Sequence, residues 1–366
     1  MGAPTHMPRS AWIFPALASA FFVVTAIPSL GIGFTPSIGG LVFAAILLVI
    51  LFGTVFAAVH HAEVIAERVG EPYGTLLLTL AVTVIEVALI ATIMLGEKSA
   101  PTLARDTVFA VVMIVCNGLV GICILVGGLR YREQDFQVTG ANLYLSVLIV
   151  FATITLIMPN YTLTTPGPVY SATQLGFVSV VTIILYGVFL YTQTVRHRDY
   201  FIFGERDDDA HAVTSPGVLI ASAVLLLVSL VAVVLLAKVF SQVVDAGAAA
   251  INAPPAFAGI VVAALVLLPE SIAALGAARK NDLQKSINLA LGSSLATIGL
   301  TIPAVSATAY VLDKPLVLGL GPLVLVLLVI TILLSLLTFG TGRSNILFGM
   351  VHTLVFAMFL FLVFAP

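Results

Sequence analysis

Two glutamates stand alone in apolar surroundings: Glu86 within "AVTVIEVALIATIM" (81–94) and Glu270 within "VAALVLLPESIAALG" (262–276). A bare carboxylate in hydrocarbon costs several kcal/mol or more, so such a group takes up a proton or finds a cation. Further oxygen donors accompany the pair. The apolar stretches that follow contain "IVCNGLVG" (114–121) and "LALGSSLATIG" (289–299), which offer the amide of Asn117 and the hydroxyls of Ser293, Ser294 and Thr297. Thr83 lies three residues before Glu86, and Pro269 directly precedes Glu270. A proline there removes an N–H and frees a carbonyl one turn back as another oxygen ligand. Two carboxylates among neutral oxygens suit a hard cation, Ca²⁺ or, with less charge matching, Na⁺. Glu86 and Glu270 are therefore the expected metal-binding pair, and Asn117, Ser293, Thr83, Ser294 and Thr297 the candidate neighbours for cation or proton. Taken out of water, each carboxyl can hold a proton when the metal leaves. A site that holds either a cation or protons, but not both, is an antiporter in its simplest form. No His/Cys cluster is available for a soft metal, and no cofactor is called for beyond the transported ions Ca²⁺, Na⁺ or K⁺, and H⁺.

The elements that must carry these residues are membrane helices. Sixty per cent of the chain is hydrophobic and only 9% charged, against about 25% charged in soluble proteins; the mean hydropathy is +1.18. The class is all-α, polytopic and membrane-embedded. Crossing the hydrocarbon takes about 20 apolar residues, which predicts eleven helices: 11–30, 39–59, 74–95, 105–129, 141–158, 174–195, 217–241, 256–278, 285–311, 316–338 and 345–364. With the N-terminus inside, Arg9, Arg68, Arg130, Arg132, Arg196, Arg198, Arg206, Arg279, Lys280, Lys285 and Arg343 collect on the inner side. Lys98, Arg105, Lys238 and Lys314 remain outside. That bias predicts N-in and C-out. The net charge of −2 adds little. Cys116 and Cys123 share one helix face two turns apart, too far for a disulfide, and are expected to pack.

With the first helix set aside (1–38), ten remain, five in 39–195 and five in 217–366, separated by the polar loop 196–216. The second helix runs inward and the seventh outward, so the two five-helix repeats are inverted, as in many secondary transporters. Glu86 and Glu270 each fall in the second helix of their repeat. At 12 to 14 residues in, both lie about 18–21 Å deep, near the bilayer midplane. "GEPYG" (70–74) and "NAPPAFAG" (252–259) break the chain before each glutamate helix. Gly118, Gly121, Gly292 and Gly299 are expected to serve close helix packing.

From about residue 55 onward the chain resembles bacterial calcium/proton (sodium-potassium/proton) antiporters, the ChaA branch of the calcium/cation antiporter superfamily. The resemblance rests on "HHAEVIAERVGEPYGTL" (60–76), "APTLARDT" (100–107), "GLVG" (118–121) and "LYGVFLYTQT" (185–194). It extends through "LLPESIAALGAA" (267–278), "NLALGSSLATIGLTIPAV" (288–305) and "TGRSNILFG" (341–349). It implies eleven helices, two inverted repeats and one essential glutamate per repeat, at Glu86 and Glu270. Wider relatives, the vacuolar exchangers, carry Gly-Asn-Ala before each glutamate and often a His after the second. Here Thr83, Val84 and Ile85 precede Glu86, Leu267, Leu268 and Pro269 precede Glu270, and Ser271 follows it.

Other polar groups have plainer expectations. The acidic run Glu205–Asp209 is a solvated loop, or a cation sensor. His60, His61 and Glu63 sit at the solvated inner face or line a proton entry. His352 is a hydrogen-bonded packing residue or a relay. Arg343 anchors the inner interface. Among rival functions, an intramembrane enzyme lacks Gly-x-Ser-x-Gly and His-Glu-x-x-His motifs, and a channel would need a continuous polar lining. A facilitator without proton coupling is the nearer rival. The expected partners are inorganic cations, protons and the lipid bilayer of the bacterial inner membrane, with no nucleic acid.

Overall fold

The computed structural model describes residues 8–27, 34–35, 37–70, 73–95, 101–202 and 215–365. Among them, eleven helices are long and apolar enough to cross a membrane: α1 (Arg9–Ala26), α2 (Ile38–Val69), α3 (Tyr73–Met94), α4 (Leu103–Tyr131), α5 (Val138–Asn160), α6 (Ala172–Arg196), α7 (Pro216–Ala250), α8 (Ala256–Arg279), α9 (Leu283–Val311), α10 (Pro322–Phe339) and α11 (Ile346–Phe364). Their starts carry local signals. Ser171 and Gln174 form a reciprocal capping box at α6, Asp282 caps α9 through the Lys285 N–H, and Asn345 caps α11. Each satisfies N–H groups that the first helical turn leaves open. Ser215 caps α7, with Pro216 at its first turn.

Three boundaries differ from expectation. Helix α2 continues ten residues past 59, because "HHAEVIAERV" is amphipathic and rich in helix formers; it stops where Gly70, at φ 77°, caps it. Helix α7 likewise runs on to Ala250 and ends before Pro254 and Pro255. Helix α10 begins six residues later than predicted. Residues 314–321 are irregular, and part of their backbone is satisfied by the end of α5 and the loop after it: the Gly319 and Leu320 N–H groups donate to the carbonyls of Pro168 and Leu156, and Asn160 donates to the Leu320 carbonyl. Gly319, Gly321 and Pro322 explain why this apolar stretch stays unwound.

The chain divides into two compact units. One holds α1, α2, α3 and α7; the other holds α4–α6 and α8–α11. In the first, the long helices α2 and α7 pack together, with α1 and α3 each packed on both. In the second, α4 and α9 are central: 83% and 67% of an apolar 18-residue stretch in each is buried, against 28% in α6 and 17% in α11. These central helices are the third of each predicted repeat, and each is wrapped by the fourth and fifth helices of the opposite one. Helix α4 packs on α10 and α11, and α9 on α5 and α6. Glycines permit the approach. A Cβ at Gly121 would lie 3.0 Å from the His352 Cβ of α11, and one at Gly299 would lie 2.9 Å from the Tyr186 Cβ of α6. Small residues are how helices come this close without a hydrophobic drive between them.

At one end of the second unit a short antiparallel ribbon pairs β1 (Glu133–Asp135) with β2 (Arg343–Asn345). Arg343 bridges Asp135 at 3.0 Å and Glu133 at 3.8 Å, and Gln134 reaches the Ala278 carbonyl and Asn281 between α8 and α9. The turns after α4, α8 and α10 therefore share one end, as alternating spans require. Arg343 was expected only as an anchor, and its strand was not foreseen: three residues carry too little pattern.

Candidate functional site

Glu270 is carried by α8, fourteen residues beyond Ala256, about 21 Å along the helix. Pro269 is buried within that helix and removes the donor that the Leu265 carbonyl would otherwise receive. Helix α8 packs against both α4 and α9, held near its start by Gly259 lying on the Asp106–Thr107 backbone. Farther along, a hydroxyl bond runs from Ser286 to the Ala274 carbonyl, 2.7 Å. Glu270 is half-buried.

Both central helices change winding at corresponding places. Ile114–Leu119 of α4 and Thr297–Thr301 of α9 are π-helical turns. Two further π-helical turns lie in α5 (Thr153–Ile157) and α6 (Thr192–Arg196), so it is the candidate residues within the α4 and α9 turns that set those apart. Asn117 lies in the α4 turn and Thr297 in the α9 turn, both buried. The Asn117 amide is held at both ends: its Nδ2 donates to Thr331 Oγ1 at 2.8 Å, and its Oδ1 faces His352 Nδ1 at 3.1 Å. Ser294 is buried and donates to its own helix at the Leu291 carbonyl, 2.8 Å. Ser293 is partly exposed one turn before the π segment.

Glu86 lies thirteen residues beyond Tyr73 in α3, about 20 Å along the helix, and is only 1% exposed. Thr83, also buried, donates to the Thr79 carbonyl at 2.9 Å. Of the seven candidates, Glu270, Asn117, Ser293, Ser294 and Thr297 sit on three mutually packed helices of one unit. Glu86 and Thr83 belong to α3 of the other. Among the described residues, no group of three or more His, Cys, Asp or Glu is placed to hold a metal ion. A cation here would rely on few carboxylates and on neutral oxygens.

The remaining polar residues sort differently from expectation. His61 is not at a solvated face. It is fully buried, with Nε2 3.0 Å from the Ala11 carbonyl and Nδ1 3.4 Å from Ser222 Oγ, and ties α2 to α1 and α7. The apolar faces of α1 and α7 cover it, which the α2 sequence alone does not reveal. Glu63 is exposed and His60 intermediate. The acidic run Glu205–Asp209 lies outside the described residues. Cys116 and Cys123 are buried and free. His352 was foreseen as a hydrogen-bonded residue, but its link to Asn117 was missed, as were Thr331, which partners Asn117, and Thr338, which partners His352. The spacing of Thr331, Ser335 and Thr338 along one face of α10 was the available signal.

Comparison with known proteins gives a consistent picture. The family model described as sodium/calcium exchanger protein matches residues 37–195 and 221–365. The chain is 44% identical over 371 residues to the putative ionic transporter y4hA of Sinorhizobium fredii, covering 99% of this chain and 97% of that one. It is 38% identical over 323 residues to the sodium-potassium/proton antiporter ChaA of Escherichia coli, covering 87% of each. Among solved structures, native YfkE superposes with a TM-score of 0.72 at 19% identity, over 96% of this chain and 100% of that one. The H⁺/Ca²⁺ exchanger CAX gives 0.68 at 14%, over 96% and 87%. At these identities the two structures speak for the fold.

Proposed function

The chain belongs to the sodium/calcium exchanger protein family, and on that premise we propose that it is a secondary active cation/proton antiporter of the bacterial inner membrane. Its proposed cargo is Ca²⁺, with Na⁺ or K⁺ as further substrates, exported in exchange for entering protons. The relative named as a sodium-potassium/proton antiporter, at 38% identity over most of the chain, supports proton coupling. The observation that carries the site assignment is the matched pair of carboxyls. One lies in the second helix of each predicted repeat, thirteen residues into α3 and fourteen into α8. In an inverted arrangement the two helices enter the bilayer from opposite sides, each carrying its carboxyl well inside.

On this reading Glu86 and Glu270 share one site open to one side of the membrane at a time. Deprotonated, the two carboxylates compensate the charge of Ca²⁺, and hydroxyl and carbonyl oxygens near α4, α8 and α9 replace its water. Protonated, they return neutral. Neither carboxylate crosses bare, because its burial without a counter-charge is the costly state. With a monovalent ion one carboxyl keeps its proton. The test uses everted membrane vesicles with an imposed ΔpH. Addition of Ca²⁺, Na⁺ or K⁺, each separately, should dissipate ΔpH through this protein for at least one ion. Cation uptake that proceeds without moving ΔpH would replace the antiporter by a facilitator.

A further inference from the structure

His352 lies six residues beyond Ile346 in α11 and is fully buried. Among the described residues, both its ring nitrogens meet neutral partners: Nδ1 meets Asn117 Oδ1 of α4 at 3.1 Å, and Nε2 meets Thr338 Oγ1 of α10 at 3.0 Å. With the Asn117 amide oxygen facing His352, the sense of every link in this chain follows. The amide oxygen of Asn117 can only accept, so Nδ1 carries the hydrogen and Nε2 accepts from the Thr338 hydroxyl. At the other end Asn117 Nδ2 donates to Thr331 Oγ1, 2.8 Å, and Thr331 passes its own hydrogen to the Leu327 carbonyl, 2.7 Å. Turning the amide over would need the opposite tautomer, with Asn117 Nδ2 donating to Nδ1 and Nε2 donating to Thr338 Oγ1, so the ring's protonated nitrogen distinguishes the two arrangements. Gly121 makes the contact possible, because a Cβ there would press on the His352 Cβ at 3.0 Å and hold α11 away.

We infer that His352 is a positioning residue for the cation site, fixing the Asn117 amide inside the π-helical turn of α4. This rests on the functional proposal above, in which oxygens near α4 meet the ion. An amide oxygen has two lone pairs. His352 occupies one, which orients the group and leaves the other for a cation. Removing such an outer partner from a metal ligand typically weakens binding about 10- to 100-fold.

The experiment measures apparent cation affinity and maximal rate in proteoliposomes for wild type, His352→Phe, His352→Gln, Asn117→Ala and the double variant His352→Phe/Asn117→Ala. Phenylalanine keeps the bulk and removes the N–H; glutamine restores a donor. The expected result is a KM raised roughly tenfold or more in His352→Phe, with the maximal rate little changed and most of the affinity regained in His352→Gln. The double variant should be no worse than Asn117→Ala, because the two act as one unit. A His352→Phe protein that elutes as a folded monodisperse peak with unchanged KM overturns the inference, and so do losses that multiply in the double variant. Should His352→Phe not fold, the ¹⁵N spectrum of His352 in the wild-type protein decides. A neutral ring protonated at Nδ1 is required, and a ring protonated at Nε2 alone refutes the assignment. Absence of any cation/proton exchange by the wild type would remove the functional proposal while leaving that spectrum to judge the hydrogen-bond chain.

Discussion

Replacing Gly259 by alanine should weaken the fold while nearly sparing the site. The new Cβ would sit 2.8 Å from Thr107 N and 2.9 Å from Asp106 C. Both are backbone atoms of α4 and cannot swing aside as a side-chain tip does. Ordinary contact needs about 3.5–4.0 Å, so α8 must move away by roughly 1 Å at this point. Overpacking of this kind costs about 1–3 kcal/mol. The gain in helix propensity, about 1 kcal/mol for glycine to alanine, offsets only part of it. The functional effect follows from where α8 is held at its other end. The Ser286–Ala274 bond lies fifteen residues from Gly259 and four from Glu270. Pivoting there, Glu270 shifts by about a quarter of the displacement, within the ~0.5 Å tolerance expected of a working site. Gly259→Ala should therefore melt earlier in detergent yet keep cation affinity within a few-fold of wild type. Gly276→Ala, on the same helix with nothing within 4 Å of its Cβ, should not melt earlier. A wild-type melting temperature for Gly259→Ala would refute the α4–α8 contact. A stable variant with abolished affinity would refute the pivot.

Glu86→Gln and Glu270→Gln should each abolish cation/proton exchange, and the double variant should be no worse than either, as groups acting together require; near-normal exchange by one variant would remove that glutamate from the site. Apparent cation affinity in proteoliposomes should improve with rising pH between about 6.5 and 9, since deprotonation frees the carboxylates; one or two competing protons correspond to at most about tenfold or a hundredfold per pH unit. A flat profile would mean that cation and proton do not share these groups. If two protons exchange for one Ca²⁺, one unit of ΔpH supplies about 2.7 kcal/mol and sustains roughly a hundredfold Ca²⁺ gradient, measurable with a trapped indicator. A reporter fused after residue 366 should face outward and one inserted in the loop 203–214 inward; both on one side would end the inverted arrangement.

The solvent, the helix count and the two odd carboxyls were legible in the sequence, because hydrocarbon imposes a one-dimensional code. Any span must be about 20 apolar residues long, and any charge inside it is conspicuous. Glu86 and Glu270 stand out without any fold, and the eleven spans follow from the same rule. Boundaries were legible only where a breaker coincided with the end of the apolar run. Helices α2 and α7 outran their apolar cores because helix propensity continues past the point where hydropathy stops, and residues 314–321 stayed unwound because the end of α5 and the loop after it bond to their backbone.

Tertiary structure alone decided which neutral groups are tied to which. Asn117 and His352 are 235 residues apart, and no local period links a π-helical turn in α4 to a histidine in α11. Wrapping each central helix with the last two helices of the opposite repeat is what makes them neighbours. His61 shows the same limit: from sequence it belongs to a polar helix end, and only the packing of α1 and α7 around it makes it a buried tie. Apolar length is set residue by residue against the solvent, whereas a hydrogen-bond partner is set by which helix faces meet, and those faces come from opposite ends of the chain.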